Sequence, residues 1–264
     1  MDHPFTDDKL SFSVMNSTSF SISMVESRDI ELSIVILCYR SEESIIPFAA
    51  ETKALAEQLT DSYEIVLVGN FIEGSDDRTK EVVKGIAAED PRFVAICEPK
   101  QGMMGWDMRK GLEKARGEYI CVIDGDGQFP IDSITQCFEA ARTGDYGIVK
   151  TYRQKRNDGF YRKTVSGIYN SLFSILFPGV HSKDVNSKPK IISRSTYEKL
   201  DLRSDDWFVD AEIMIQAGRH RVRIHEFPVE FLELEGRKSF VKVAAVFEFL
   251  KNLIVYRLNE YGKK

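Results

Sequence analysis

Apolar residues in the first half of the chain come in short unbroken runs: "ELSIVILC" at 31–38, "YEIVLVG" at 63–69, "RFVAIC" at 92–97 and "EYICVID" at 118–124. A strand with one wet face alternates, whereas a continuous run suits a strand buried on both faces. Between the runs, "EESIIPFAAETKALAEQL", "SDDRTKEVVKGIAAED" and "GWDMRKGLEKAR" place apolar residues at helical spacing. The second of these opens with serine and acidic residues, an N-cap signature. The third ends at Gly117. Strands alternating with helices of this length predict parallel βαβ units. The expected fold is α/β, a doubly wound and mostly parallel sheet with helices on both faces.

The second half is less regular. "DYGIVKTYR" and "KPKIISR" read as strands, and "RQKRNDGFYRK" as a basic loop. A helix follows whose apolar stripe is Val165, Tyr169, Leu172, Phe173 and Leu176. "RVRIHEFPVEFLEL" reads as a strand, with Arg219, Arg221, Arg223 and His225 on one face of "GRHRVRIHE" as a half-exposed strand. An amphipathic helix from about Phe240 ends the chain. Residues 1–29, rich in Ser and Asp, form a flexible lead-in or an accessory hairpin. With no Gly/Ser/Pro linker in view, 30–264 is expected to be one domain, 30–128 and 129–264 forming its halves.

Composition narrows the partners. A net charge of −5 and a pI near 5.6 argue against wholesale nucleic-acid binding, and 43% hydrophobic residues exclude general disorder. The acidic start "MDHPFTDDKL" lacks the apolar core of a secretory signal, and no run reaches the ~18 apolar residues of a membrane span. Cys38, Cys97, Cys121 and Cys137 lack metal-ligand spacing and are expected as free thiols in a reducing, cytoplasmic setting.

One stretch asks for a chemical explanation. "CVIDGDGQFP" leads from an apolar run straight into Asp124 and Asp126. Two carboxylates about 4 Å apart repel by about 4 kcal/mol at an effective dielectric near 20, so a positive partner is expected there. In open α/β sheets ligands bind beyond the carboxyl ends of the strands, where this pair lies. An EF-hand loop fails, because its sixth and twelfth positions would be Phe129 and Thr135. A dinucleotide fingerprint fails too, since no G-x-G-x-x-G follows the first strand. A turn whose carboxylates cap the next helix and a divalent-cation site gripping a nucleoside diphosphate remain. Mg²⁺ or Mn²⁺ takes hard oxygens, often one or two carboxylates plus phosphate. The amide oxygen of Gln128 offers a further ligand, and Gly125 and Gly127 would admit a diphosphate close to the backbone.

In order along the chain, "CYRSEES", "EIVLVGNFIEGSDDRT", "GMMGWDMRKGLEKARGEYICVIDGDGQFP", "DVNSKPKIISR", "DDWFVDAE" and "IHEFPVEF" resemble glycosyltransferase family 2. The branch resembled is dolichyl-phosphate mannose synthase and its polyprenyl-phosphate relatives, over roughly residues 31–240. The resemblance implies a GT-A fold and a metal-dependent, inverting transfer of a hexose from a nucleoside-diphosphate sugar, GDP- or UDP-linked, to a lipid phosphate. By the same resemblance Leu37, Tyr39, Glu42, Asn70 and Asp124 line the nucleotide site, Asp126 and Gln128 hold Mg²⁺ or Mn²⁺, and Asp126 and Asp210 serve catalysis. Asp210 and Glu212 point about 200° apart on a helix, so only one is expected to face the pocket. Arg162 and Ser166 would hold the acceptor phosphate, with Arg153 or Arg156 completing the clamp, and Lys188 and Lys190 lie in a block that borders it. Arg162, Ser166 and Asn170 form a row at i, i+4 and i+8. "KTYRQKRNDGFYRK" packs six basic residues against one aspartate, and guanidinium forks suit phosphate.

The chain departs from the family at two places. Gly69 and Asn70 stand where two acids usually read the base, leaving the base open. Glu233 stands at an expected arginine, with Arg237 or Lys238 as substitutes. "FVKVAAVFEFLKNLIVYRL" suits a membrane surface by its apolar face, with packing on the sheet as the alternative. The competing functions are a family 2 enzyme with a saccharide or other hydroxyl acceptor, a nucleotidyltransferase, and a non-catalytic sugar-nucleotide binder.

Overall fold

The computed structural model describes residues 30–156, 160–180, 182–232 and 251–258, with backbone alone at 155–156 and 160–166. The expectations for 1–29, for Glu233, Arg237 and Lys238, and for most of the last helix lie outside the described residues. The segment 251–258 is helical.

Seven strands form one sheet: β1 (Leu32–Leu37), β2 (Tyr63–Val68), β3 (Phe93–Ile96), β4 (Tyr119–Asp124), β5 (Ile148–Arg156), β6 (Lys190–Ser193) and β7 (Ile224–Phe231). Their order is β3-β2-β1-β4-β6-β5-β7. The helices are α1 (Ile45–Leu59), α2 (Thr79–Glu89), α3 (Met104–Lys114), α4 (Ser133–Thr143), α5 (Phe160–Leu176), α6 (Arg194–Tyr197) and α7 (Val209–Arg219). The predicted first-half strands all form and pair in parallel, β1 lying between β2 and β4. Their unbroken apolar runs reflect burial on both faces. Leu32, Ile34 and Ile36 join α1, α2 and α4 in one core, whereas Val35 and Leu37 join α3 and α7 in the other. Burying each such side chain is worth about 1.5–3 kcal/mol. A third core packs Tyr169, Phe173 and Phe177 of the α5 region against α7 and Leu253.

β6 is antiparallel to both neighbours, while β5 and β7 run parallel. Because β6 reverses, its start lies beside the end of β4: Val122 pairs with Lys190. β5 then runs in the direction of β4, so its basic end emerges on the same edge.

Three local expectations are corrected. α2 starts at Thr79, and no serine caps it; Asp77 instead accepts from the Thr79 amide (3.0 Å). A carboxylate two residues further on does what the serine signature promised. "GRHRVRIHE" is not one strand: Arg219 ends α7, Arg221 turns the chain at φ +54°, and β7 begins at Ile224. The basic loop is shorter than read, because pairing with β7 carries β5 on to Arg156.

Candidate active site

The carboxyl edge of the sheet is where the chemistry collects. Leu37 and Asp124 are register partners at the ends of β1 and β4, and the Gly125 amide extends the ladder to the Leu37 carbonyl (2.9 Å). Gly125 packs closely, since a Cβ there would lie 2.7 Å from Ile45 Cδ1. Gly127 takes φ +72°, in the left-handed region, and lets the loop turn. Asp126 accepts from the Gln128 amide (3.0 Å), fixing the tip. The Gln128 carbonyl accepts from Leu232, and Phe129 meets Phe231 edge to face at 5.0 Å, so the end of β7 braces this loop. Asp126 and Gln128 are half-buried and offer the oxygens a hard divalent cation takes. Among the described residues no group of three or more His, Cys, Asp or Glu gathers as a metal cage. A cation on this tip would need phosphate or water to complete its shell.

Of the two aspartates, Asp124 has a positive partner in Lys188. Its Nζ lies 3.3 Å from Asp124 Oδ1 and 3.3 Å from Asp210 Oδ2. Lys190 Nζ bonds the other Asp210 oxygen and the Val185 carbonyl, the latter at 3.3 Å. Asp210 is 1% exposed and Lys188 2%. Burial alone would push the Asp210 carboxyl up, but the two ammoniums outweigh it and hold it below the usual carboxylate range. Burial also works against the charge on Lys188, yet Asp124 and Asp210 keep its pKa above that of an ordinary lysine. Lys190 has a weaker balance: burial, aided by Lys150 and Lys188 against Asp210, brings it down to about 8.

Asp210 and Glu212 do point apart, and neither is solvated. Glu212 turns to the other side and accepts from the amides of Arg203 (3.0 Å) and Ser204 (2.9 Å), holding the loop that leads into α7.

At the β1–β2 side, Arg40 and Glu42 both have positive φ, +53° and +45°. Two such non-glycine residues so close together mark a strained turn of the kind that clusters at ligand sites. The Glu42 amide donates to Thr79 Oγ1 (2.9 Å), and the ring of Tyr39 carries the Lys100 ammonium 4.4 Å from its centroid. Lys100 also pairs with Asp107, and Asn70 Nδ2 donates to the same carboxylate at 2.9 Å. Burial pushes the Asp107 carboxyl up, against the pull of Lys100 and Asn70. Asn70 Oδ1 accepts from the Glu98 amide, so this buried side chain ties the loop after β2 to the loop after β3 and to α3. Sequence reading overlooked Lys100 and Asp107 here. The signal was present as a cation and an acid seven residues apart in "KQGMMGWD".

On the far side Arg153 Nε and Nη2 grip Asp184 at 2.6 and 2.8 Å, and the guanidinium lies 5.3 Å from the Phe231 centroid. Arg156 ends β5, and Arg162 and Ser166 lie on α5; their side chains are outside the described part. Asn170 Oδ1 accepts from the Val185 amide (3.2 Å). Lys150 is buried and donates to the Thr151 and Asp184 carbonyls and to Glu226. The structure therefore brings together Leu37, Asp124, Asp126, Gln128 and Asp210, and sets Tyr39, Glu42 and Asn70 on the loops after β1 and β2.

Comparison with known proteins places the chain. It is 32% identical over 162 residues to an undecaprenyl-phosphate 4-deoxy-4-formamido-L-arabinose transferase of Aeromonas hydrophila, an alignment covering 61% of this chain and 48% of that protein. It is 26% identical over 247 residues to dolichyl-phosphate beta-glucosyltransferase ALG5A of Trichomonas vaginalis, covering 88% and 74%. The chain thus spans about half the length of the first relative. Glucosyl-3-phosphoglycerate synthase from Mycobacterium tuberculosis, crystallised with Mn²⁺, UDP and phosphoglyceric acid, superposes with a TM-score of 0.67 at 16% identity, over 86% of this chain and 78% of that one. Mannosyl-3-phosphoglycerate synthase from Rubrobacter xylanophilus gives 0.66 at 16%, over 89% and 76%. These likenesses establish the GT-A fold. Residues 33–201, more than half of the chain, match the family model named glycosyl transferase family 2, and the protein belongs to that family.

Proposed function

We propose that the chain transfers a hexose from a nucleoside-diphosphate sugar to a polyprenyl phosphate, with inversion at the anomeric carbon and with Mg²⁺ or Mn²⁺. The observation that carries the acceptor class is the state of Asp210. Both its oxygens are taken by lysines, and it is buried and held ionised. A general base for a sugar hydroxyl needs a carboxylate able to accept a proton near neutral pH, which this one resists. A phosphate oxygen is already an anion and needs no base. The two relatives named for undecaprenyl and dolichyl phosphate support the same acceptor.

An acceptor phosphate oxygen attacks the anomeric carbon while the bond from that carbon to the nucleoside diphosphate breaks; no proton moves. Leu37, Tyr39, Glu42, Asn70 and Asp124 receive the nucleoside. Asp126 and Gln128 would hold the divalent cation, which when bound would offset charge on the departing diphosphate. Arg153, Arg156, Arg162 and Ser166 take the acceptor phosphate, and Asp210 orients the lysines beside the reacting groups.

The isoprenoid tail requires apolar surface. α5 exposes Ile168 and Ile175, and the 251–258 helix exposes Ile254, Val255 and Leu258. No helix among the described residues is long and apolar enough to cross a membrane. These faces support contact with a lipid chain or with the cytoplasmic surface of a membrane.

The test offers radiolabelled UDP- and GDP-sugars with a short polyprenyl phosphate, the matching polyprenol and an oligosaccharide. Label is expected on the polyprenyl phosphate alone, in the inverted configuration. Transfer to the polyprenol or the oligosaccharide would refute the acceptor class, and a retained configuration would refute single displacement.

A further inference from the structure

We propose that Lys188 is a resident cation of the donor site, built into the chain between Asp124 and Asp210, so that a nucleoside diphosphate binds this protein without a divalent metal. The inference rests on the donor reading above and adds to it what holds the diphosphate.

The position follows from topology. β6 runs against β4, with Val122 opposite Lys190, so two residues outward the lysine of "SKPK" arrives beside Asp124. Its backbone is fastened there, because the Lys188 carbonyl accepts from Thr151 Oγ1 at 2.6 Å. The ammonium faces both Asp124 oxygens, at 3.3 and 3.5 Å, as well as Asp210 Oδ2 at 3.3 Å. Its remaining contact is the Met104 sulfur at 3.6 Å, a weak acceptor. At 3.3–3.5 Å these carboxylate contacts are longer than a close ammonium–carboxylate bond, so a phosphate oxygen would improve on the Met104 sulfur as an acceptor.

Charge counting gives the consequence. Without lysines, Asp124, Asp126 and Asp210 would present three negative charges to a diphosphate. Lys188 and Lys190 cancel two of them, and Lys188 stays protonated despite its burial. Asp124 is thereby neutralised from within the chain. A cation carried by the chain acts at any metal concentration, so metal adds to nucleotide binding rather than permitting it.

Calorimetric titration of the full chain with UDP and with GDP, in EDTA and in Mn²⁺, tests this. One nucleotide is expected to bind the wild-type protein in EDTA, with Mn²⁺ tightening it by less than about tenfold. Lys188→Met is expected to lose about tenfold in EDTA and no more than about threefold in Mn²⁺, enlarging the metal–nucleotide coupling. Lys188→Arg, which keeps the charge, should return the EDTA affinity toward wild type. Equal losses with and without Mn²⁺ would reveal a merely structural lysine and overturn the proposal. So would wild-type binding seen only with Mn²⁺, a comparison that decides the matter even if Lys188→Met fails to fold; in that case the donor reading stands. Failure of both nucleotides to bind even in Mn²⁺ would overturn the donor reading as well.

Discussion

Asp210 shows how one side chain discriminates between mechanisms. Loss of a general base costs about 10²–10⁴ in rate. If Asp210 orients lysines instead, Asp210→Asn is expected to lower kcat by less than about tenfold, while a buried pair stripped of its acid loses about 3–5 kcal/mol of stability. Steady-state kinetics beside urea unfolding separates the two; a large kcat loss with little change in stability would restore the base. Asp126→Ala is the contrasting case. It removes the carboxylate proposed for the metal, and kcat should fall by about 10²–10³, the usual cost of one lost electrostatic stabiliser. Assays across a Mn²⁺ series check this, and a variant that keeps wild-type turnover would remove Asp126 from the mechanism. Lys190 gives a pH signature. Its folded value, about 8, lies below the ordinary 10.5, so below pH 8 its charge costs the fold stability. Between about pH 8 and 10.5 the folded protein gives up a proton that the unfolded chain keeps, and stability from this group rises by up to about 3 kcal/mol. Lys190→Arg stays charged throughout, so the stability gap between wild type and variant should widen over that window in urea titrations. A gap independent of pH would refute the shift.

At the scale of elements, the site depends on a loop clamped from two sides. Glu212 holds the amides of Arg203 and Ser204, and the Asp205 carbonyl accepts from Met103 (2.7 Å) and Trp106 (3.2 Å) at the start of α3. Gly105 permits this contact, because a Cβ there would strike the carbonyls of Ser204 and Asp206. Gly105→Ala should therefore cost about 1–3 kcal/mol as overpacking, and it should also weaken catalysis by shifting α7 and Asp210. Thermal unfolding and kcat measured together test the link; a stable variant with normal turnover breaks it. The same elements show what sequence alone makes visible. The βαβ units were readable because strands buried on both faces must be continuously apolar, a local property of "SIVIL" or "IVLV". The aspartates could be placed because they terminate such a run. The partners were not readable, since Lys188 meets Asp124 across 64 residues and Asn70 meets Asp107 across 37. The lysines of "SKPK" could be assigned to a block that borders the acceptor, but their carboxylate partners appear only once the reversed β6 sets them beside Asp124 and Asp210. The helix cap moved from serine to Asp77 for a similar reason: Thr79 Oγ1, which accepts from the distant Glu42 amide, also bonds Asp77 and so selects that turn.

Across the whole molecule, one reversed strand, β6, separates two groups of strands that run the same way. On one side β3, β2, β1 and β4 are parallel, and their carboxyl ends present the loops 38–44, 69–79 and 125–132. On the other, β5 carries Arg153 and Arg156 to the same edge and leads into α5. Donor and acceptor are therefore expected to order different stretches of chain, with Lys188 and Asp210 at the seam. Hydrogen exchange followed by mass spectrometry can see this. A nucleoside diphosphate with Mn²⁺, at about a hundred times its dissociation constant, adds about 2.7 kcal/mol to the native state. That corresponds to about a hundredfold slower exchange wherever opening requires release of the ligand. The slowing should appear in 38–44, 69–79 and 124–132, whereas a short polyprenyl phosphate should slow exchange in 153–170. The Leu32–Leu37 ladder, already paired on both edges, should respond only through global stability. If the nucleotide protects 153–170 and leaves 124–132 unchanged, the two sides have been assigned to the wrong substrates. If each ligand protects its own side and the two together protect 184–190 more than either alone, both substrates meet at the reversed strand.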